Sequence, residues 1–214
     1  MENLSRRERE RQIHEDEIVQ AAEKVFCLKG FDDASMDEIA QEAQFTKRTL
    51  YQYFANKEDL FFAVVHKGLI KLNGYIAKSY QENVNSYQQL VQAGKGFVAF
   101  FKDYPALFRL FGFVGHVKKS SAEDSQRRQA WMQQNNEMFK TMAAVIKAGQ
   151  ADGSIHAGLD AQKTAFSLIF LITGFFNQLA ATGETFTGHF GLNLEDFSLY
   201  TLDILMQTLK SDKE

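Results

Sequence analysis

A single proline, Pro105, stands among 214 residues. Proline removes a backbone donor and clashes with the preceding turn, so a chain almost free of it can run as long uninterrupted helices. The apolar spacing agrees. Ile18, Ala21, Ala22, Val25 and Phe26 fall at the i, i+3, i+4, i+7, i+8 positions of one helical face. Gly30 follows where a left-handed C-terminal cap belongs. Ser35 and Glu38 have the spacing of a capping box, which opens a short second helix with Met36, Ile39, Ala40 and Ala43 on one side. Gln44-Phe45 is a tight connection. Thr46 is the expected N-cap of a third short helix through Phe54, with Leu50, Tyr53 and Phe54 facing one way and Arg48 and Gln52 the other. Asn56 caps a fourth helix, whose first turn carries Glu58 and Asp59 at the positive end of the helix dipole.

From there the helices lengthen. The pattern predicts helices to about Gln81, from Ser86 to Asp103, from Pro105 to about Gly115, from about Ser121 to Ala151, from Asp160 to Thr182 and from Leu194 to Lys210. Residues 115–120 read as a polar loop, and 183–193 as a second, glycine-rich one. No strand alternation stands out, and the fold class expected is all-α with about nine helices.

The first three helices, with a tight turn before the third, form a helix-turn-helix, whose last helix enters the major groove. The composition of that helix suits the task. Lys47 and Arg48 can donate to base edges, arginine pairing bidentately with guanine, and Thr49 can donate, accept or touch a thymine methyl. Tyr51 and Gln52 can reach phosphates and set the register, and Lys57 is placed to neutralise one. Ser35, heading the second helix, opens an anion site of free amides. The net charge gives no such support: the first sixty residues hold nine Lys/Arg against fourteen Asp/Glu. Arg6, Arg7, Arg9 and Arg11 alternate with Glu8 and Glu10. They either extend the first helix through i, i+4 pairs or reach a minor groove; extension is the preferred reading.

Ile18 to Phe26, Gly30-Phe31, Ser35 to Ala40, Thr46 to Phe54 and Asn56 to Leu60, in this order and spacing, resemble the DNA-binding domain of the TetR/AcrR family of transcriptional regulators. The resemblance covers about the first quarter of the chain. It implies that Lys47, Arg48, Thr49 and Tyr51 approach bases, and that Ser35, Thr46, Gln52 and Lys57 approach phosphates. It also implies a reading domain over residues 1–56 and a helical ligand-binding and dimerisation domain over 57–214. Two residues depart from the family pattern. Gln44 stands where the family has glycine, and Arg48 where it often has a small residue. If the turn needs positive φ, Gln44 carries about 1 kcal/mol of strain.

The second domain is read from its physics. Twenty phenylalanines are mostly core, but their clusters at 97–101, 108–113 and 166–176 could also wall an apolar pocket. Phe101, Phe108, Arg109, Phe111, Trp131, Asn135, Phe170 and Asn177 are the candidate lining, within helices between about 86 and 180. The last two long helices are apolar around much of their circumference, so they need burial on two sides; the family resemblance makes them a four-helix homodimer interface. The expected function is a repressor that binds a palindromic DNA operator as a dimer and is released by an apolar small molecule. The alternative is a similar DNA-binding protein without an inducer, acting through a protein partner, for which a solidly filled interior would speak. A ligand carrier with a vestigial DNA domain would leave Lys47, Arg48 and Lys57 without a reason for their places.

Other classes find no footing. Cys27 is alone, so neither a disulfide framework nor a thiolate cluster is expected, and it reads as a small buried hydrophobe. The N-terminal segment is charged where a signal peptide is apolar. The longest apolar run, Ala165 to Phe176, is shorter than a bilayer span. A cytoplasmic protein without membrane contact is expected. There is no HExxH, CxxC, phosphate loop or nucleophile elbow, and the five histidines lack ligand spacing. Neither enzymatic activity, a metal nor a cofactor is expected.

Overall fold

Each of the first four helices starts on a side-chain cap. In the computed structural model, which describes residues 5–117, 125–182 and 184–211, α1 (Arg6–Asp33) begins at Ser5 with a capping box to Glu8. The N-terminal arginines are therefore helical, and Arg6 pairs with Glu10 one turn on. Gly30 breaks this helix with φ 81° and ψ 176°. The positive φ was expected, but this is an extended conformation rather than the left-handed helical cap, and the chain resumes a turn through Asp33. The second helix, α2 (Met36–Glu42), has the Ser35–Glu38 capping box. Thr46 caps α3 (Lys47–Tyr53), accepting from the Thr49 amide at 3.1 Å. Asn56 caps α4 (Lys57–Ser79), accepting from Asp59 at 2.8 Å. The turn between α2 and α3 places Gln44 at φ 57°, so a side chain occupies the backbone region where glycine is at ease.

The larger part of the chain comprises α5 (Ser86–Asp103), α6 (Pro105–Phe113), a 3-10 turn at Val114–His116, α7 (Gln126–Asp152), α8 (Ala161–Thr182), α9 (Glu184–His189) and α10 (Leu194–Gln207). The helix α9 lies in the stretch read as a glycine-rich loop. No apolar period marks it in the sequence. Tertiary packing forms it: Thr187 is buried, and Phe186 meets Phe190 and Phe197 at 5.0 and 6.3 Å. The expected start of a helix at Ser121, and residues 118–120 of the polar loop, lie outside the described residues.

Buried phenylalanines link the helices into one core. Phe26 meets Phe61 at 5.5 Å, Phe31 meets Phe113 at 5.7 Å, and Phe108 meets Phe176 at 5.5 Å. Each such pair adds about 0.5–1.5 kcal/mol beyond the area it buries. The series links α1 through α4 and α6 to α8. On the other side, α4 and α5 pack closely because Gly96 has no side chain: a Cβ there would lie 2.7 Å from the Ile76 Cα.

At 22 residues, α8 is long and apolar enough by length and composition to cross a membrane. The uninterrupted run from Ala165 to Phe176 had suggested otherwise, because the helix extends beyond it on both sides. One face of α8, including Leu168, Ile172, Phe176 and Leu179, is buried in this fold. Its other face leaves Phe166, Phe170 and Leu171 exposed. On α10, Leu202 and Met206 are buried while Leu199, Tyr200 and Ile204 are exposed.

Candidate nucleic-acid interface and effector pocket

The third helix is held from behind and open in front. Leu50 and Phe54 are 0% and 1% exposed, anchoring α3 in the core of the first four helices. Arg48, Tyr51 and Gln52 are exposed along its outer side. Among the described residues Arg48 makes no intramolecular hydrogen bond or ion pair. Lys47 differs: its ammonium donates to Asp37 of α2 at 2.7 Å, and this bond, foremost, holds its pKa above the ordinary lysine value. Thr49 shares a 2.8 Å hydroxyl hydrogen bond with Thr46.

Two residues expected at phosphates are engaged inside the protein. Lys57 donates to the carbonyls of Phe31, Asp32 and Ala34 at 2.8, 3.2 and 3.0 Å. It also lies 4.4 Å from the centre of the Phe31 ring. Three donors on three carbonyls make Lys57 the cap of the C-terminal end of α1, which basic side chains favour. To meet a phosphate it must give up one of them. The Ser35 hydroxyl accepts from the Glu38 amide and donates to the Glu38 carboxylate at 2.9 Å. Glu38 also pairs with Lys29, and that bond first, then Ser35, lowers its pKa to about 2. An ionised carboxylate at the head of α2 makes it a poorer anion site than the sequence implied.

The second unit grips this head at two points that charge spacing in the sequence did not show. Arg127, in the first turn of α7, reaches Asp59 of α4 at 2.9 Å, Glu15 of α1 at 2.8 Å and the Tyr53 carbonyl at the end of α3 at 3.2 Å. Its guanidinium lies 4.5 Å from the Phe54 ring centre. One side chain of α7 thus touches three of the four N-terminal helices. The other grip is α6: Arg109 donates to the Cys27 carbonyl of α1 at 3.0 Å. Burial foremost, and the Glu23 charge next, push the Cys27 thiol up to about 11, as fits a packed rather than a reactive cysteine.

The eight candidate pocket residues do not surround one cavity. Phe101 and Phe108 are 3% and 0% exposed and packed on Phe176. Phe111 stacks on Phe100 at 5.9 Å, and Arg109 faces α1. Phe170 is 70% exposed on the outer side of α8. Asn177 lies against Gly112 of α6. Trp131 and Asn135 are half-buried on α7. Instead, a pocket of about 480 Å³ opens between α4, α5 and α7. Ile76, Leu90, Phe97, Met138, Met142 and Val145 supply apolar walls, and Asn73, Gln89, Gln92 and Gln134 supply neutral polar groups. One wall belongs to α4, earlier in the chain than expected. Of the aromatic clusters, Phe97 of the first reaches this pocket, whose other apolar walls are largely aliphatic and methionine side chains.

A short second helix, a turn through a left-handed residue and an anchored third helix with an open polar side define a helix-turn-helix regulator. Residues 18–64 match the family of bacterial regulatory proteins, tetR family. The N-terminal part of the chain is thus similar to the DNA-binding part of that family of transcriptional regulators. It is 32% identical over 94 residues to the HTH-type transcriptional activator FasR of Mycolicibacterium smegmatis, covering 44% of this chain and 43% of FasR. It is 30% identical over 142 residues to the HTH-type transcriptional repressor NicS of Pseudomonas putida, covering 64% of each. The matches thus span less than two-thirds of these relatives' lengths. The crystal structure of AibR, in complex with isovaleryl coenzyme A and operator DNA, has a TM-score of 0.70 at 18% identity, covering 90% of this chain and 98% of AibR.

Proposed function

We propose that the protein is a cytoplasmic repressor that binds a palindromic operator as a two-fold homodimer and is released by a largely apolar small molecule. The observation that carries this reading is α3: Arg48, Tyr51 and Gln52 are exposed in a row while Leu50 and Phe54 lock the helix to its scaffold. In this reading Arg48, Thr49, Tyr51 and Lys47, once exchanged from Asp37, face bases. Thr46 and Gln52 face phosphates, as do Lys57, once it releases one of its carbonyls, and Ser35 beside Glu38. Residues 1–56 read the DNA, and 57–214 sense and dimerise. The exposed apolar side chains Phe170 and Leu171 of α8 and Tyr200 and Ile204 of α10 supply the self-complementary face.

The pocket favours a small-molecule effector over a protein partner, whose reading called for a solid interior. Its volume is that of a small-ligand site. No lysine or arginine lines it, and Glu137 is its charged group. It therefore suits an apolar body rather than the phosphates of a coenzyme A thioester such as AibR holds.

Selection from random duplex DNA tests the reading. The expected result is a pseudo-palindrome with half-site centres roughly 34–36 Å apart or a multiple of it, bound by a dimer in sedimentation. No enriched sequence, or a monomer at micromolar concentration, would overturn it. A reporter driven through the selected site should be silenced; activation, the activity named for FasR, would overturn the repressor part alone.

A further inference from the structure

Three buried polar atoms on one side of α7 have no hydrogen-bond partner: Nη1 of Arg128, Nε1 of Trp131 and Oε1 of Gln134. At steps of three residues they run along about 9 Å of the helix. Arg128 and Trp131 both turn toward α4, the guanidinium 5.5 Å and the indole 6.3 Å from the centre of the Phe62 ring. Phe62 is 1% exposed, so this is the interior of the protein. Gln134, the next step along, lines the 480 Å³ pocket.

Carboxylates of the described residues around α7 are engaged elsewhere. Asp59 and Glu15 are taken by Arg127, and Glu137 pairs with Lys140 at 2.8 Å. Among the described residues no carboxylate pairs with Arg128. Native proteins pair their buried polar groups, and a buried, unpaired nitrogen on the charged, half-buried side chain of Arg128 is a costly exception. A water molecule could satisfy the donors but would not neutralise the guanidinium.

We propose that this side of α7 receives the carboxylate of an amphiphilic acid, with Arg128 and Trp131 donating to its oxygens and its apolar tail lying in the pocket between α4, α5 and α7. This rests on the ligand-sensing reading above and names the class of ligand. Gln134 meets the junction of head and tail with its amide. A charge-assisted bond from arginine to carboxylate is the strong member of this set. A free acid fits where a coenzyme A thioester does not, since the thioester has no carboxylate to offer Arg128 and no further lysine or arginine lines the pocket to meet its phosphates. The head would sit one residue from Arg127, whose guanidinium holds the Tyr53 carbonyl at the end of the reading helix. Drawing Arg128 toward a ligand therefore pulls on the turn that carries this grip.

Trp131 is the only tryptophan of the chain, so its fluorescence reports the site directly. Titration of the full-length protein with decanoate, methyl decanoate and decanoyl coenzyme A, below micellar concentrations, is the test. Decanoate should perturb Trp131 emission and bind at least tenfold more tightly than the ester and the thioester. Arg128→Gln, checked by circular dichroism for its fold, should bring decanoate down to the affinity of the ester. The comparison of acid with ester on the unaltered protein stands even if the variant does not fold. Equal binding of acid and ester overturns the carboxylate assignment while leaving an apolar effector in place. Tighter binding of the thioester overturns it in favour of an acyl coenzyme A. No binding of any of the three overturns the inference and counts against the sensing pocket as well.

Discussion

Replacing Arg127 by alanine should loosen the hold of α7 on the reading head. The side chain makes two ion pairs, one carbonyl hydrogen bond and one ring contact, at 2.9, 2.8, 3.2 and 4.5 Å. The pair to Glu15 involves side chains 29% and 26% exposed, so it is near the upper end of a surface pair, about 1 kcal/mol. The pair to Asp59 is deeper, with only 8% of the carboxylate side chain exposed. Removing one partner of a fully buried pair costs about 3–5 kcal/mol. Asp59 keeps the hydroxyl of Ser125 and the Ala55 amide as donors, which brings its share down to about 1–2 kcal/mol, the scale of a charge-assisted hydrogen bond. The ring contact adds about 0.5–1 kcal/mol. The expected total is about 3 kcal/mol. At 2–4 °C per kcal/mol for a chain of this size, the melting temperature should fall by about 6–12 °C. The assay is thermal denaturation at fixed protein concentration of the parent, Arg127→Ala, Asp59→Asn and the double variant, read as a double-mutant cycle. A loss below about 0.5 kcal/mol, on the scale of an ordinary surface substitution, would refute the reasoning. So would strict additivity of the two substitutions.

Gln44→Gly relieves a left-handed residue at φ 57° and should stabilise the protein by up to about 1 kcal/mol, part of the gain being offset by the freer unfolded chain; chemical denaturation checks it, and a loss of stability would count against strain at this turn. Ser35→Ala should cost about 0.5–2 kcal/mol as the loss of an N-cap. Glu38, held at about 2 by Lys29 and Ser35, contributes stability that is present above its ordinary pKa of 4.5 and is lost as the pH falls through that range toward 2. Acid titration of Glu38→Gln should therefore show a shallower loss of stability between these values than the parent; parallel curves would refute the assignment.

The head of the fold was largely legible because its signals are local. Ser35, Thr46 and Asn56 announce their caps within three residues, and the glycine that the resembled family has at the position of Gln44 points to the positive φ found there. Where partners are far apart in the chain, the same reading had nothing to work with. Arg127 meets Glu15 across 112 residues of sequence, and no spacing rule connects them. Lys57 reads as a phosphate ligand from its place beside α3, yet the carbonyls that claim it come from the end of α1. The pocket between α4, α5 and α7 was hidden for a different reason. Aromatic density leads to Phe97 but otherwise mostly to the core, and the aliphatic and methionine walls leave no period or motif. The polar groups that line it, Gln134 among them, carry no motif either.

The central claim is that α3 reads base sequence, and Arg48 is its most exposed test. Duplex selection with the parent and with Arg48→Ala, at one stated salt concentration, measures affinity and preference at every position together. The account predicts a loss of about 1–3 kcal/mol in specific binding and relaxed preference at one base pair in each half-site, with the other positions unchanged. The same consensus bound with the same affinity by both proteins would contradict it.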